Sequence, residues 1–587
     1  MRGRIWLAAA VSVGVLSGAE FFPLAAVRPG LKGTGKTVFS GTQIEEFRVE
    51  ILGVLENVGP KQSLVLARLS GGPLDSAGVL QGMSGSPVYV DGKLLGAVAM
   101  AFPFAKEPVA AIRPIEEVLR ASVPAPSPRR MAAALGEGNL ARLFDAPQDV
   151  LAPGGRLVEI ATPVHFGGFT PATIEHFAPQ LRALGLEPRQ GVAGGGIPPA
   201  EMGDRSLLQP GAMITVQLIC GDLSLGADGT VTHIEGDRIY AFGHRFLSVG
   251  ATELPFARAE VLTVLPNLAS SFKISAAREW MGTITEDRST AVAGILGRRA
   301  SLAPVSIEVR RRSASGVAAA SRYRMEMVRD RFLAPFLLQM AVFSAIDATE
   351  RMFGSATIGV EGEIRFQNGA EPLRLRNMYA GEFSLPQQVS LATAVPLAYA
   401  LQATDTLELR DVRLVLDAYD QKKQLQIDQV WAWPRQVRPG EAVELTVSLV
   451  SGSGTEVTRK ATYRVPVGMP EGPLYFTVAD GATTNLSEYR QLLGGGARSA
   501  AQLLQFLNSL RANTKAYVRV WRAQPSYQAG GEEFPSPPPS LAQILARAQA
   551  ALGPAMASAG SKVAELEITA GDVVITGSKT VQVDVRE

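Results

Sequence analysis

Residues 82–87 read Gly82-Met83-Ser84-Gly85-Ser86-Pro87, a serine set between glycines and closed by a proline. Glycine adopts backbone angles that other residues resist. Such a loop can turn so that the N–H groups of Gly82 and Ser84 converge on one point, where an oxyanion would form. A serine hydroxyl is a weak nucleophile until a neighbouring base takes its proton, and histidine is the usual base. No histidine precedes Ser84. Four follow it: His165, His176, His233 and His244. His176 lies in an amphipathic helical stretch and reads as a surface or half-buried residue, His233 lies on a strand face, and His165 sits in a turn. His244 directly follows an apolar strand and a glycine, in Tyr240-Ala241-Phe242-Gly243-His244. A ring at a strand end is held firmly and still faces a cleft, as a general base requires. The competing reading of His244 is a hydrogen-bonded loop histidine.

The elements around these residues read as strands. Phe47–Leu55, Ser63–Arg68 and Val88–Val98 are apolar or alternating runs, the last broken by the turn pair Asp91-Gly92. Ile115–Leu119 reads as a short closing helix. A second β-rich block spans 155–312, with its clearest strands at Ala212–Ile219, Gly229–Ile234, Arg238–Phe242 and Val305–Arg310. The spacing then predicts a helix near Arg331–Thr349, strands over about 355–420, and helices over 485–511 and Leu541–Leu552, with strands at the end of the chain. Trp431, Trp433 and the alternating run Val437–Val447 suggest one edge of an immunoglobulin-like sandwich. Pro124–Arg130 and Pro535–Pro539 are proline-rich connectors.

A chain of 587 residues has room for about three to five domains of ~100–200 residues each. The 57 basic and 55 acidic side chains nearly cancel, which argues against a nucleic-acid partner. Arg2 and Arg4, the apolar run Ile5–Leu16 and the small residues Ser17-Gly18-Ala19 have the form of a secretory signal cut before Glu20. No later run is apolar and long enough to span a membrane, so a soluble exported protein, periplasmic or extracellular, is expected. The single cysteine, Cys220, reads as a buried strand residue, and the histidines have no metal-ligand spacing. No metal or other cofactor is expected. Gly30–Thr37 fits the phosphate-loop pattern GxxxxGK[ST], but Val27-Arg28-Pro29 before it is no buried strand and Val38-Phe39-Ser40-Gly41 after it is no helix. The segment reads as strand and turn.

The hexapeptide has the form of the nucleophile loop of chymotrypsin-like serine peptidases, and the longer run Gly78–Val98 resembles the serine region of the SpoIVB peptidase family. Gly229-Thr230-Val231-Thr232 with Tyr240–His244 resembles that family's histidine region, and Gly282–Gly297 a later stretch. The likeness covers about 24–120 and 205–310. It implies a double β-barrel with Ser84 as nucleophile and His244 as base. Two features depart from the family. The serine region precedes the histidine region here, the reverse of the typical order. The stretch matching the family's acid-bearing strand, Leu66–Ser70, holds no carboxylate, which leaves Asp75 nearby and Asp287 far along the chain as candidate acids. No PDZ-type domain is evident between the signal and the serine region.

The expected fold is mainly β. A signal at 1–19 precedes a chymotrypsin-like core in two segments, 20–123 and 155–320, joined by a linker with a possible helix at 124–154. A helix-plus-β module follows at 321–425, then an immunoglobulin-like module at 426–470 and a mixed α/β region at 471–587. Two functions fit. The first is an exported serine endopeptidase acting on proteins or peptides. The second is a catalytically impaired protein of the same fold that binds or scaffolds, with the C-terminal modules engaging cell-envelope proteins.

Overall fold

The computed structural model describes residues 21–120, 134, 137, 149–152, 155–191, 201–313, 316–349, 355–382, 384–403, 406–486, 499–529, 532–547, 556–558 and 560–587. The expected signal at 1–19, most of the expected linker helix Met131–Phe144, and parts of the helices expected at 485–511 and 541–552 lie outside the described residues. The chain is mainly β.

Alternation builds the first unit. In β2 (Ile44–Gly59) the side chains of Phe47, Val49 and Ile51 point inward, and the charged residues between them face water. β1 (Lys32–Val38), β2, β3 (Gln62–Ser70), β4 (Pro87–Val90), β5 (Lys93–Ala101) and β6 (Val109–Pro114) pair antiparallel in a closed ring, in the order β1-β2-β3-β6-β5-β4 and back to β1. Closure leaves no edge within the six. The phosphate-loop look-alike is β1 itself: Gly35 lies opposite Phe47, and a Cβ on Gly35 would sit 2.1 Å from that ring.

Short elements bridge to the second unit. β7 (Asp149–Ala152) pairs with β8 (Gly155–Glu159), and β8 continues onto the side of β5. β9 (Thr162–Gly167) and β10 (Leu186–Gln190) are parallel and connected by the helix Pro171–Ala183, whose cap Thr170 accepts from the Thr173 N–H.

β11 (Met213–Gly221), β12 (Ser224–Glu235), β13 (Arg238–Ala241), β14 (Gly250–Leu265), β15 (Phe272–Asp287) and β16 (Val292–Leu296) close a second antiparallel ring, β11-β12-β13-β16-β15-β14 and back to β11. The core is therefore two six-stranded barrels. They interlock rather than merely touch: Gly41 bridges to Val261, and Gln81 pairs with Phe272 through hydrogen bonds to Ser271 and Lys273.

The second barrel's sheet runs on through β17 (Leu302–Ser313), β18 (Gly316–Val328), β19 (Ala356–Phe366), β20 (Leu373–Gly381) and β21 (Leu409–Tyr419). Two apolar helices, Leu333–Thr349 and Leu385–Ala403, pack on it and share its core. The first begins where the spacing predicts, with the Asp330 carboxylate accepting from the N–H groups of Phe332 and Leu333. From Gln424 onward, a four-stranded and a five-stranded sheet enclose one core that draws on residues from Leu425 to Val585. Residues on both sides of position 470 belong to that core. Trp431 and Trp433 stand exposed on its first strand. No helix among the described residues is long and apolar enough to cross a membrane.

Candidate active site

Ser84 lies between β3 and β4, and His244 between β13 and β14. Each follows the third strand of its own barrel. The two loops meet at the barrel interface. Gly85 is pressed so closely on the second barrel that a Cβ there would lie 2.1 Å from the Thr230 carbonyl oxygen and 2.5 Å from the Phe242 nitrogen. A Cβ on Gly243 would lie 2.9 Å from the Val98 carbonyl oxygen in β5. Both glycines have positive φ, 92° and 67°, a second reason why only glycine serves. Phe242 also has φ 71°, an uncommon angle for a bulky residue and one that packing must enforce. Its ring lies over Gly229, where a Cβ would be 2.0 Å away.

The serine loop is tied down through its carbonyls. The Thr230 N–H donates to the Ser84 carbonyl at 2.9 Å, and its hydroxyl to the Gly82 carbonyl at 3.0 Å. The Thr232 hydroxyl donates to the Gly85 carbonyl at 2.7 Å. Ser86 donates to the Met83 carbonyl through its N–H at 3.0 Å and its hydroxyl at 2.6 Å. The N–H groups of Gly82 and Ser84 donate to no acceptor among the described residues, whereas those of Met83 and Gly85 do.

The histidine loop is held from three sides. The Asp287 carboxylate, fully buried at the end of β15, accepts from the N–H groups of Phe246 at 2.8 Å, Leu247 at 2.7 Å and Val249 at 3.1 Å. Burial holds this carboxyl above the ordinary range, opposed by those three N–H groups and by Arg245. Arg113, buried in β6, donates to the Gly243 carbonyl at 3.2 Å. Arg245 lies 3.5 Å from Glu159.

The His244 ring is 2% exposed and Ser84 is fully buried. Nδ1 lies 2.6 Å from the Arg245 carbonyl oxygen. A carbonyl only accepts, so Nδ1 carries the proton and Nε2 the free lone pair. The Ser84 hydroxyl and Nε2 are both buried without a hydrogen-bond partner, so they are not bonded to each other. The His244 pKa is lowered to about 4, chiefly by burial, with the Arg245 carbonyl opposing the drop and the positive Arg113 and Arg245 adding to it.

Of the two acids singled out in the sequence, Asp287 reaches the histidine loop but binds its main chain rather than its ring. Asp75 is exposed and accepts the Gly71 N–H at 2.8 Å, a local turn contact. The other histidines stand elsewhere. His165 contacts the buried Asp228 at 2.8 Å, His233 packs between Phe21 and Tyr240, and His176 stacks on Phe343. Sequence reasoning missed Arg113, Ser86, Thr230 and Thr232 as parts of the site. The run Gly229–Thr232 stood out as a motif, but nothing in one strand reveals that its hydroxyls point across an interface.

Residues 26–108 match the model of the SpoIVB peptidase S55 family. The match covers the serine-bearing barrel from just before β1 to the start of β6 and does not reach His244. Neither a curated protein nor a solved structure matches the chain.

Proposed function

We propose that this protein is an exported serine endopeptidase whose active site forms between the two barrels, with Ser84 as nucleophile and His244 as general base. The likeness of the serine barrel to SpoIVB peptidases supports this at the level of the family. One observation carries the finer reading. The Ser84 loop, with two N–H groups unengaged, is packed directly on the loop that bears His244, whose Nε2 is the free nitrogen.

In this mechanism the Ser84 oxygen bonds to the scissile carbonyl carbon as its proton passes to Nε2. The N–H groups of Gly82 and Ser84 donate to the oxyanion. The imidazolium returns the proton to the leaving amine, the amide C–N bond breaks, and water repeats the cycle on the acyl-enzyme. The Arg245 carbonyl fixes the ring tautomer, the task a triad carboxylate performs elsewhere. It supplies no negative charge to the imidazolium, and two guanidinium groups lie close by. Loss of the acid costs around 10⁴ in rate where it has been measured, so turnover should be slow unless binding of substrate reorganises the loop. Catalytic hydrogen bonds commonly tighten only in the substrate complex.

A second reading rests on the complete burial of Ser84 and on the unjoined Ser84–His244 pair. On it, the protein keeps the peptidase fold without turnover and acts by binding, with the C-terminal β units and the exposed Trp431 and Trp433 as its contact surface for envelope proteins. Export in either case rests on the signal-like residues 1–19. A fluorophosphonate probe separates the two readings. Labelling of the wild type with sparing of Ser84→Ala supports the peptidase; no labelling of either, or equal labelling of both, overturns it.

A further inference from the structure

The N–H of a residue and the carbonyl of the residue before it share one planar trans peptide and point in opposite directions. The direction of the Ser84 N–H is therefore set by the Met83 carbonyl, and that of the Gly82 N–H by the Gln81 carbonyl. Both carbonyls are held from behind. The Met83 carbonyl accepts from the N–H and the hydroxyl of Ser86, the latter at 2.6 Å. The Gln81 carbonyl accepts from the Lys273 N–H at 3.2 Å. The peptide between them, Gly82–Met83, is fixed by the Thr230 hydroxyl on its carbonyl and by the Met83 N–H bonding to Leu80. Ser86, Thr230 and Thr232 are each fully buried, so these hydroxyls are spent on the loop and not on water. β12 is bulged at Thr232: its register with β13 shifts between Val231 and His233. A bulge redirects a side chain, and Thr232 reaches the next carbonyl along, that of Gly85.

We infer that the hydroxyls of Ser86 and Thr230 are positioning groups for the oxyanion site. They clamp successive peptides of the serine loop so that the N–H groups of Gly82 and Ser84 face the reacting carbonyl, and they prevent the Met83–Ser84 peptide from flipping. The inference rests on the peptidase reading above. It gives the second serine of the hexapeptide a role distinct from the first: Ser86 never touches substrate and acts only through the peptide plane. It also makes the clamp a joint product of both barrels, since Ser86 belongs to one and Thr230 to the other.

The test is the second-order rate of fluorophosphonate labelling, because the probe's phosphoryl oxygen must occupy the same N–H pair. Ser86→Ala and Thr230→Val should each slow labelling at least tenfold, and the double variant at least a hundredfold. Thr230→Ser, which keeps the hydroxyl, should restore the rate to within a fewfold of wild type. Melting temperature is measured alongside, and each rate is corrected for the fraction folded. Rates unchanged after that correction, or a Thr230→Ser variant as slow as Thr230→Val, overturn the positioning role while leaving Ser84 as nucleophile. A wild type that does not label at all overturns the peptidase reading and this inference with it.

Discussion

At the residue scale, the site is governed by what surrounds each polar atom. His244 has the tautomer a base needs, but burial and two guanidinium groups disfavour its charged form. Its pKa of about 4 fixes a sign. On the peptidase reading, the base is lost only as pH falls through the folded value, so fluorophosphonate labelling should hold its rate from neutrality down past pH 6.5 and decline near pH 4. A decline centred near the ordinary histidine value would mean that the reactive state has opened the ring to water. The same depression acts on stability. Between about 4 and 6.5 the unfolded chain binds a proton at this position that the folded chain does not, so acidification through that window favours unfolding. Asp287 acts through the main chain. Asp287→Ala leaves three buried N–H groups without an acceptor, each worth about 1–3 kcal/mol. Denaturant titration should therefore register a large loss of stability, together with loss of labelling.

At the element scale, one short run in β12 has a task for each residue. Gly229 makes room for the Phe242 ring, Thr230 and Thr232 hold the serine loop, and Val231 is fully buried in the core. Gly229→Ala would set a methyl group 2.0 Å from that ring. Overpacking of this kind costs about 1–3 kcal/mol. Because Phe242 sits two residues before His244 at a strained φ, the cost should fall on the site: labelling is expected to drop, and a second change, Phe242→Leu, should recover part of the stability by thermal melt. No recovery would mean that the ring is not what Gly229 accommodates. The strands themselves were readable from alternation, as in Phe47, Val49 and Ile51. The run Gly229–Thr232 was readable as a strand resembling part of a family's histidine region, but not as a hold on the serine loop, because the carbonyls its hydroxyls reach lie 148 and 147 residues upstream.

At the scale of the whole molecule, the reversed order of serine and histidine has a simple form. Each barrel is complete in itself, and Ser84 and His244 each follow the third strand of their own barrel. Exchanging two complete barrels along the chain preserves the interface between them, so the site does not depend on which comes first. Unrelated hydrolases already reach one triad geometry by different chain orders. Lys273 illustrates the coupling. It reaches from β15 to the Thr37 hydroxyl in β1 at 2.8 Å, fully buried, and burial pushes its pKa down to about 7 against the pull of Asp228 and Glu45. Between about 7 and 10.5 the unfolded chain holds a proton that the folded chain lacks. Wild type should therefore lose stability relative to Lys273→Met as pH falls from 10 to 7.5, read from denaturant midpoints at both values. A constant difference would place the charge on Lys273 in the folded state throughout.

The sequence by itself determined the serine loop, the β-rich character of the chain and His244 as the base to consider, because glycine spacing, alternation and a strand-end histidine are local properties. It left the acid open between Asp75 and Asp287, and it gave Ser86, Arg113 and the threonines of β12 no role of their own. The tertiary structure places Asp287 on the main chain of the histidine loop and Asp75 in a local turn. The third position behind His244 is taken by a main-chain carbonyl, which no residue type encodes. The clamp on the serine loop comes from hydroxyls of the other barrel, which become neighbours only when two closed rings dock.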